Sequence, residues 1–499
     1  MQTVKLRFQK FTELRSLGRI DTPCPEISKN KTWSSFMTRD SVIAHTQSYF
    51  DSGLFETEIG HLVSIKSQSQ IKEGLPECLM YLTNAMIPSF KKMGFSTKIY
   101  KNPVEGGGPV LLATRIEDPK LQTILGYGHG DVVLGFDQSW TKGDGPWKTS
   151  RDGDRLYGRG TADNKGQHLI NMSALGSVIS IRGKLGFNAK FIIETGEENG
   201  SRGLREIIES NLEAFSADVF IASDGPRVRH DWPTVSLGAR GGLNFDLTCA
   251  LREGGHHSGN WGGALPDPAI ILANAISCIA NKTGQIQIKE WLPPAITPAT
   301  KELLKNIKLD GGPSGPIPVA MWGDPDLSSA ENVFAWNSFT VLAMSSGNPE
   351  KPVNAISPTA KAHCQLRYIF GTDINNVLPS LRLHLDTNGF SNVSIAEPPE
   401  ENRGGFMASR TEPSNIWSFV VTESIKRTTG IQPAVIPQMG GSICNDLFTD
   451  LLGLPAIWIP HSYSGCSQHA PDEHILLPLC RNALEIMGGL YWDIGAETK

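Results

Sequence analysis

The chain has 499 residues, too many for one ordinary hydrophobic core, so we expect two domains. The formal net charge of −5, without any basic cluster, gives no reason to expect nucleic-acid binding, and no apolar run is long enough to predict a membrane span. The eight cysteines are scattered and include no CxxC pair, so neither a thiolate zinc site nor a disulfide framework is indicated.

The first half of the chain has the pattern of an α/β sheet. Residues up to about 60 predict a helical lead-in, and the absence of an apolar stretch at the start predicts no signal peptide and a cytoplasmic protein. From about 61 to 235, apolar runs alternate with helical periodicity. The predicted elements are strands at Thr123–Tyr127, Lys190–Glu194 and Asp218–Ala222 and a helix at Asn164–Lys184.

A glycine-rich stretch at 238–242 marks a boundary, and a second glycine-rich break follows at 403–405. Between the breaks, the predicted elements are strands at Leu243–Leu251 and Ala360–Tyr368 and a helix at Pro268–Ala280, with no cluster of metal ligands. After the second break, a helix at Ile416–Arg427 and a strand at Leu454–Ile459 resume the α/β pattern. We therefore expect a catalytic domain of residues 1–236 and 401–499, interrupted by an inserted α+β domain of residues 237–400.

Acidic residues and histidines follow the predicted strands at the points where the strands end. His129, Asp163, Glu198 and Asp224 occur in this order, spaced by about one strand–helix unit each. Ligands of open α/β sheets bind beyond the carboxyl ends of the strands, so we expect these side chains to meet. Oxygen and imidazole donors without thiolate suit Zn²⁺, Co²⁺ or Mn²⁺, and two close dications need a bridging carboxylate, for which Asp163 is the candidate. Taken singly, each such residue is more often structural, for example a turn aspartate.

Four motifs together resemble the M20 family of metallopeptidases, the group that contains carnosine dipeptidases, glutamate carboxypeptidases, acetylornithine deacetylases and aminoacylases. They are His-Gly-Asp at 129–131, Gly-Arg-Gly-Thr-Ala-Asp-Asn-Lys-Gly at 158–166, Gly-Glu-Glu-Asn-Gly-Ser at 196–201, and His257-Ser258-Gly259 followed by Gly262-Gly263. The resemblance extends from about residue 60 to the C-terminus. It implies a di-metal aminopeptidase-like catalytic domain with a mixed sheet flanked by helices, an inserted smaller α+β lid, and a homodimer formed through that lid.

The resemblance also implies a ligand set for two divalent metal ions per chain, with zinc favoured over manganese or cobalt. Asp163 would bridge the two ions. Glu198 and His469 would complete one site, and His129 and Asp224 would complete the other.

Three residues receive catalytic roles by the same resemblance. Asp131 would hold the imidazole of His129 and fix its tautomer. Glu197, adjacent to a ligand yet not itself a ligand, would be the general base that accepts a proton and passes it to the leaving nitrogen. His257 would stabilise the tetrahedral oxyanion, in the family often across the dimer, although an incidental histidine in a surface loop is the alternative.

Substrate binding is assigned to three more residues. Arg367 resembles the family's carboxylate-binding arginine, with a surface arginine on a strand as the alternative. Asn354 and Ser442, the latter in a Gly-Gly-Ser turn, resemble further contacts to a substrate carboxylate. We therefore expect a metal-dependent amide hydrolase of the dipeptidase or carboxypeptidase type, acting on a dipeptide or other small substrate with a free carboxylate. An N-acyl-amino-acid deacylase is the alternative, and a catalytically silent binding protein ranks below both because Glu197 and all predicted ligands are present.

Overall fold

The computed structural model describes residues 37–312, 315–397 and 405–496. From Arg39 onward the chain forms one compact unit. The part of the predicted lead-in before residue 37, and residues 403 and 404 of the predicted second break, lie outside the described residues.

Four helices of the described ranges precede the first strand, and the last helix follows the last strand. In chain order they are α1 (Arg39–Asp51), α2 (Leu54–Ser64), α3 (Leu75–Met80), α4 (Ile87–Lys92), α5 (Lys165–Arg182), α6 (Leu204–Glu209), α7 (Leu212–Phe215), α8 (Ser258–Trp261), α9 (Pro268–Ile279), α10 (Pro298–Leu304), α11 (Ser329–Phe334), α12 (Val377–Thr387), α13 (Ile416–Thr429) and α14 (Leu477–Ile494). None of these helices is long and apolar enough to cross a membrane.

The strands of the same ranges fall into one large sheet, one four-stranded sheet and several small ones. In chain order they are β1 (Ser96–Tyr100), β2 (Val110–Arg115), β3 (Thr123–His129), β4 (Ser150–Asp152), β5 (Arg155–Tyr157), β6 (Asn188–Glu194), β7 (Val219–Ala222), β8 (Pro226–Arg227), β9 (Thr234–Ser236), β10 (Gly238–Ala239), β11 (Gly241–Ala250), β12 (His256–His257), β13 (Ser338–Ser345), β14 (Ala355–Ile356), β15 (Thr359–Tyr368), β16 (Val393–Ala396), β17 (Ser409–Arg410), β18 (Ala434–Ile436), β19 (Ala456–Trp458), β20 (Ser462–Tyr463) and β21 (His474–Leu476).

The large sheet is mixed, with the strand order β1-β2-β6-β3-β7-β19-β9-β18. Its centre, β6-β3-β7-β19, is parallel, while β1 and β2 run antiparallel at one edge. Successive side chains of the central strands enter two different hydrophobic clusters: Ile124 and Ile193 pack in one, and Leu125 and Ile192 in the other. Side chains alternate along a strand, so a sheet covered on both faces needs the continuous apolar runs that the sequence shows.

The four-stranded sheet, β13-β15-β11-β16, is antiparallel and draws all its strands from the middle of the chain. Along β15, buried and more accessible residues alternate, and the buried ones join α9 and α12 in a separate hydrophobic cluster. This alternation is typical of a sheet that packs on one face only. The predicted mixed α/β fold with a smaller α+β part is therefore confirmed, while the exact domain boundaries stay a prediction.

The predicted elements recur with small shifts at their ends. The strand predicted at 454–459 is shortened to Ala456–Trp458, because Pro455 has no N–H to donate to a neighbouring strand. The helix predicted from Asn164 begins at Lys165, since Asn164 occupies the N-cap position with non-helical backbone angles. Only the second change lies beside the candidate site, since Pro455 is at the opposite end of its strand.

Candidate metal centre

Three neighbouring parallel strands bring the predicted ligands to one edge of the large sheet. His129 is the last residue of β3, the 3-10 turn Glu197–Asn199 follows β6, and Asp224 comes two residues after β7. Because β6, β3 and β7 are adjacent and parallel, their carboxyl ends open toward the same side. Asp163 joins them from the residue before the N-cap of α5, and His469 from the loop between β20 and β21.

The five predicted ligands form two groups that share Asp163. In the first group, His129 Nε2 lies 3.0 Å from Asp163 Oδ1 and 3.7 Å from Asp224 Oδ2. In the second, His469 Nε2 lies 3.1 Å from Asp163 Oδ2 and 3.0 Å from Glu198 Oε2. The candidate ligand atoms within each group all lie within 4.8 Å of one another, so each group could hold one metal ion.

The pKa shifts of the side chains in this cluster are consistent with a cation-binding site. Burial, together with the nearby charge of Asp163, raises the pKa of Glu198 to about 7. The same two causes raise the pKa of Asp224 to about 6. Hydrogen bonds from His469 to Asp163 and Glu198 raise the imidazole pKa to about 11. Crowded carboxylates in a buried place favour divalent cations, and the imidazole and carboxylate donors without thiolate fit zinc, cobalt or manganese.

Asp131 contacts both the imidazole of His129 and the turn that carries Glu197 and Glu198. The Nδ1 atom of His129 lies 3.1 Å from the main-chain oxygen of Asp131 and 3.5 Å from its carboxylate. The carboxylate oxygens accept the backbone N–H groups of Glu197 at 3.3 Å and Glu198 at 3.1 Å. We expected the carboxylate to orient the imidazole, but the main-chain oxygen lies nearer because the carboxylate is engaged with the turn that carries both glutamates.

Glu197 is half-buried beside the two groups. Burial raises its pKa well above the usual value, and the charges of Glu198 and Asp224 act in the same direction. Among the described residues, no side chain or backbone group makes a hydrogen bond to its carboxylate. A carboxylate that accepts no other hydrogen bond is free to take up a proton, as a general base must.

A buried carboxylate that sequence reasoning missed, Glu473, orders the loop that carries Asp163. Its Oε1 accepts the backbone N–H groups of Gly160, Ala162 and Asp163 at 3.0, 3.0 and 3.1 Å. Its Oε2 lies 2.8 Å from Arg159 Nη1, and both side chains are almost fully buried. The sequence offers one clue to Glu473, which is its position four residues after His469. Its partners are backbone groups, and no sequence motif reveals those.

Asn164 ties the start of α5 to the loop of Asp224. Its Nδ2 donates to the main-chain oxygen of Ser223 at 2.9 Å, and its Oδ1 lies 3.1 Å from Nδ1 of His168. The other ring nitrogen of His168 lies 2.6 Å from the hydroxyl of Tyr81. This buried network fixes two ligand-bearing segments relative to each other.

His257 and Asn354 lie together, away from the hydrogen-bond network of the metal ligands. The short strands β12 and β14 pair His257 with Ala355, and the N–H of Ser258 donates to the main-chain oxygen of Asn354 at 2.9 Å. His257 is exposed, and its Nδ1 accepts the N–H of Gly259 at 3.1 Å. A Cβ atom at position 259 would lie 3.0 Å from the imidazole, so a larger residue there would press on the ring of His257.

Arg367 and Ser442 also meet, and they have an unpredicted neighbour. Arg367 Nη1 donates to Ser442 Oγ at 2.8 Å. Nearby, the nearly buried Arg240 donates to the main-chain oxygen of Gly440 at 2.9 Å and to Ser338 Oγ at 3.2 Å. Burial, with the charge of Arg367 in addition, lowers the pKa of Arg240 to about 9. Within the described ranges neither guanidinium pairs with a carboxylate, so the two arginines could bind an external anion.

Comparison with known proteins finds partial similarity to two dipeptidases. A cysteinylglycine-S-conjugate dipeptidase of Corynebacterium striatum is 34% identical over 254 residues, which cover 49% of this chain and 53% of that protein. A β-Ala-His dipeptidase of Mus musculus is 33% identical over 211 residues, which cover 40% of this chain and 42% of that protein. The chain thus spans about half the length of these curated relatives.

The fold agrees with solved structures of the same kind. The crystal structure of human carnosine dipeptidase 1 superposes with a TM-score of 0.73 at 20% sequence identity, covering 92% of this chain and 100% of that one. The sequence profile described as peptidase family M20/M25/M40 matches residues 125–492, which contain every predicted site residue. The resemblance predicted from the motifs is confirmed: the chain belongs to peptidase family M20/M25/M40.

Proposed function

We propose that this protein is a di-metal dipeptidase, which hydrolyses the peptide bond of a small substrate that has a free carboxylate. The observation that carries the proposal is the sharing of Asp163 by two groups of ligands, with the unengaged carboxyl of Glu197 beside them. The names of the matched relatives, which are dipeptidases, support the same reaction class.

The residues of the centre have distinct tasks in this proposal. His129, Asp163 and Asp224 hold one ion, and Glu198 and His469 hold the other together with Asp163. When bound, the two ions supply an activated water and polarise the scissile carbonyl. Side chains of the protein carry out the remaining steps. Asp131 positions the turn of residues 197–199, which carries the two glutamates.

Glu197 accepts the proton of the attacking water and delivers it to the leaving nitrogen. Burial raises its pKa well above the usual value, which favours uptake of the proton from the water. His257 stabilises the oxyanion of the tetrahedral intermediate. Because His257 is exposed on a short strand, it is placed to act on a site outside its own chain, and we propose that it does so in a homodimer.

Arg367 and Ser442 bind the substrate carboxylate, with Asn354 as a further contact. The adjacent Arg240 adds a second positive charge to this anion site, which strengthens its preference for a carboxylate over an amide. Zinc is the proposed metal because the donors are imidazole and carboxylate. The seven cysteines of the described ranges are all free, which supports a reducing, cytoplasmic environment.

A substrate panel tests the proposal. Protein reconstituted with Zn²⁺, Mn²⁺ or Co²⁺ is incubated with a dipeptide library, the matching C-terminal amides and the matching N-acetyl amino acids. We expect metal-dependent cleavage of free dipeptides and little cleavage of the amides. Faster cleavage of N-acetyl amino acids would replace the dipeptidase assignment by a deacylase.

The Glu197→Gln variant is the inactive control for this substrate panel. The substitution removes the proton acceptor and keeps the shape of the side chain, so turnover should fall roughly 10²–10⁴-fold. Metal content, measured by elemental analysis, should stay at the parent level because Glu197 is not in either ligand group. Parent-like turnover in this variant would remove Glu197 from the mechanism.

A further inference from the structure

The residue before His469 makes a contact that none of the roles described above explains. Nε2 of Gln468 donates to Oδ2 of Asp163 at 3.2 Å, and Nε2 of His469 lies 3.1 Å from the same oxygen. Gln468 belongs to neither group of candidate ligands, and it is half-buried. A neutral amide donor therefore contacts the carboxylate that the two groups share.

The backbone of this loop is shaped so that two consecutive side chains reach one oxygen atom. In an extended chain, neighbouring side chains point to opposite sides. Here Ser467 and His469, on either side of Gln468, have φ angles of 57° and 59°, in the left-handed region that residues other than glycine rarely adopt. Such conformations persist only where the surrounding structure holds them. The turn thus directs Gln468 and His469 to Asp163 together.

The loop that carries Gln468 is held by contacts that do not involve this side chain. The N–H of His474 donates to the main-chain oxygen of Cys466 at 2.9 Å, which closes the loop at its base. The carboxylate of Asp472 accepts the backbone N–H of Thr141 at 2.8 Å. Replacement of the Gln468 side chain should therefore leave the loop in place.

The two carboxylate oxygens of Asp163 differ in their surroundings. In the described ranges, the hydrogen-bond partner of Oδ1 is His129, a candidate ligand. The partners of Oδ2 are His469, also a candidate ligand, and Gln468, which is not. A histidine that binds an ion through Nε2 no longer has this nitrogen for Asp163, whereas the amide of Gln468 can keep its hydrogen bond. Gln468 is therefore the contact that can fix Oδ2 when the site is loaded.

We propose that Gln468 is a positioning residue for the second metal ion, the one held by Asp163, Glu198 and His469. Its amide keeps Oδ2 of Asp163 directed toward this group, so the carboxylate loses less freedom when it bridges. Removal of a hydrogen-bond partner of a metal ligand typically lowers metal affinity roughly 10–100-fold. The ion held by His129 and Oδ1 should depend less on Gln468. The proposal rests on the two-metal centre proposed above and does not depend on the substrate.

Zinc titration of the metal-free protein, in competition with a chromophoric chelator, measures both dissociation constants without any substrate. Gln468→Met removes the amide and keeps the length of the side chain. We expect one dissociation constant to rise roughly 10–100-fold and the other to change by less than about threefold. Gln287→Met makes the same substitution at an exposed glutamine whose amide donates to the main-chain oxygen of Gln285. This matched control should bind both ions as the parent does.

A double variant assigns the effect to one ion. In the His469→Ala background the second group has lost a ligand, so the addition of Gln468→Met should change the affinity for the remaining ion by less than about threefold. A full 10–100-fold loss for that ion would place Gln468 on the other group and would overturn the proposal.

Hydrogen exchange separates positioning from a purely structural role. In the metal-free protein, peptides that span residues 466–474 should exchange at the same rate in Gln468→Met and in the parent. Faster exchange in the variant would show that the amide only stabilises the loop, and this would overturn the proposal. Equal weakening of both ions, or parent-like constants in Gln468→Met, would overturn it as well and would leave the metal centre in place. Binding of fewer than two ions by the parent would contradict the two-metal proposal together with this one.

Discussion

The two carboxylate oxygens of Asp163 face two different histidines, one near each end of the matched region. Oδ1 lies 3.0 Å from Nε2 of His129, and Oδ2 lies 3.1 Å from Nε2 of His469. One short side chain thus belongs to both candidate metal sites. Two dications at the usual separation of about 3.5–4 Å repel each other strongly, so we expect the shared carboxylate to contribute more to their binding than a ligand of one ion alone.

Replacement of this bridge should therefore uncouple the two sites. We expect Asp163→Ala to lose at least one metal ion and nearly all activity while the fold is retained. Metal content by elemental analysis and the circular dichroism spectrum check this expectation. Asp144→Ala, which removes an exposed carboxylate whose ion-pair partner in the described ranges is Lys148, is the control and should keep both ions. Retention of both metals at parent affinity in Asp163→Ala would contradict the bridging role.

A second prediction concerns the buried pair of Arg159 and Glu473. Glu473→Gln leaves the guanidinium buried without its counter-charge, which should lower the free energy of unfolding by about 3–5 kcal/mol. The double variant Arg159→Met/Glu473→Gln should recover part of this loss, since no charge then remains unpaired. Urea denaturation of the parent, the single variants and the double variant measures the coupling. Additive effects of the two substitutions would show that the pair is not energetically coupled.

The sequence predicted that the candidate ligands would meet at one edge of the sheet, because the chemistry of an α/β sheet is concentrated at strand ends. An apolar run predicts a buried strand, and the residue that follows it must lie at the carboxyl edge. His129, Glu198 and Asp224 follow this rule on three adjacent strands. The position of His469 came only from the family resemblance, because the loop between β20 and β21 has no periodic pattern.

Two residues near the candidate sites were not predicted from the sequence: Glu473, which accepts hydrogen bonds from backbone groups, and Arg240, which lies near another arginine. Glu473 organises the Asp163 loop through three N–H groups, and backbone donors look the same at every position of a sequence. Arg240 was passed over as part of a glycine-rich boundary. Its proposed role as an anion partner depends on its position near Arg367 and on the lack of a carboxylate partner for either arginine among the described residues, and the sequence reveals neither.

The third prediction separates acid from amide substrates. Arg367→Ala should lower kcat/KM for dipeptides with a free carboxylate. The loss of transition-state stabilisation should be about 1.5–3 kcal/mol, the value of a charge-assisted hydrogen bond. The corresponding amides should be poor substrates of the parent and should change little. Kinetics on matched acid and amide pairs gives the comparison, and Arg382→Ala, which removes a paired arginine of α12, is the control. Equal losses on acids and amides would mean that Arg367 does not bind the carboxylate.

The last prediction tests whether two chains build one active site. If each chain of a dimer lends its His257 to the other, Glu197→Gln and His257→Ala homodimers should each be weak. When the two variants are unfolded and refolded together in equal amounts, half of the dimers should be mixed. In a mixed dimer, one site combines the intact centre of the His257→Ala chain with the intact His257 of the Glu197→Gln chain.

That site should be complete, and the other site of the same dimer should carry both defects. Random pairing should therefore restore about a quarter of the parent activity, with refolded parent protein as the control for recovery. If His257 acts within its own chain, no mixed dimer contains a complete site and activity stays at the average of the two variants. Because His257 is exposed and has no hydrogen bond to the metal ligands within its own chain, we expect restoration. A flat result would place His257 in its own chain's site and would leave the assignment of the metal ligands untouched.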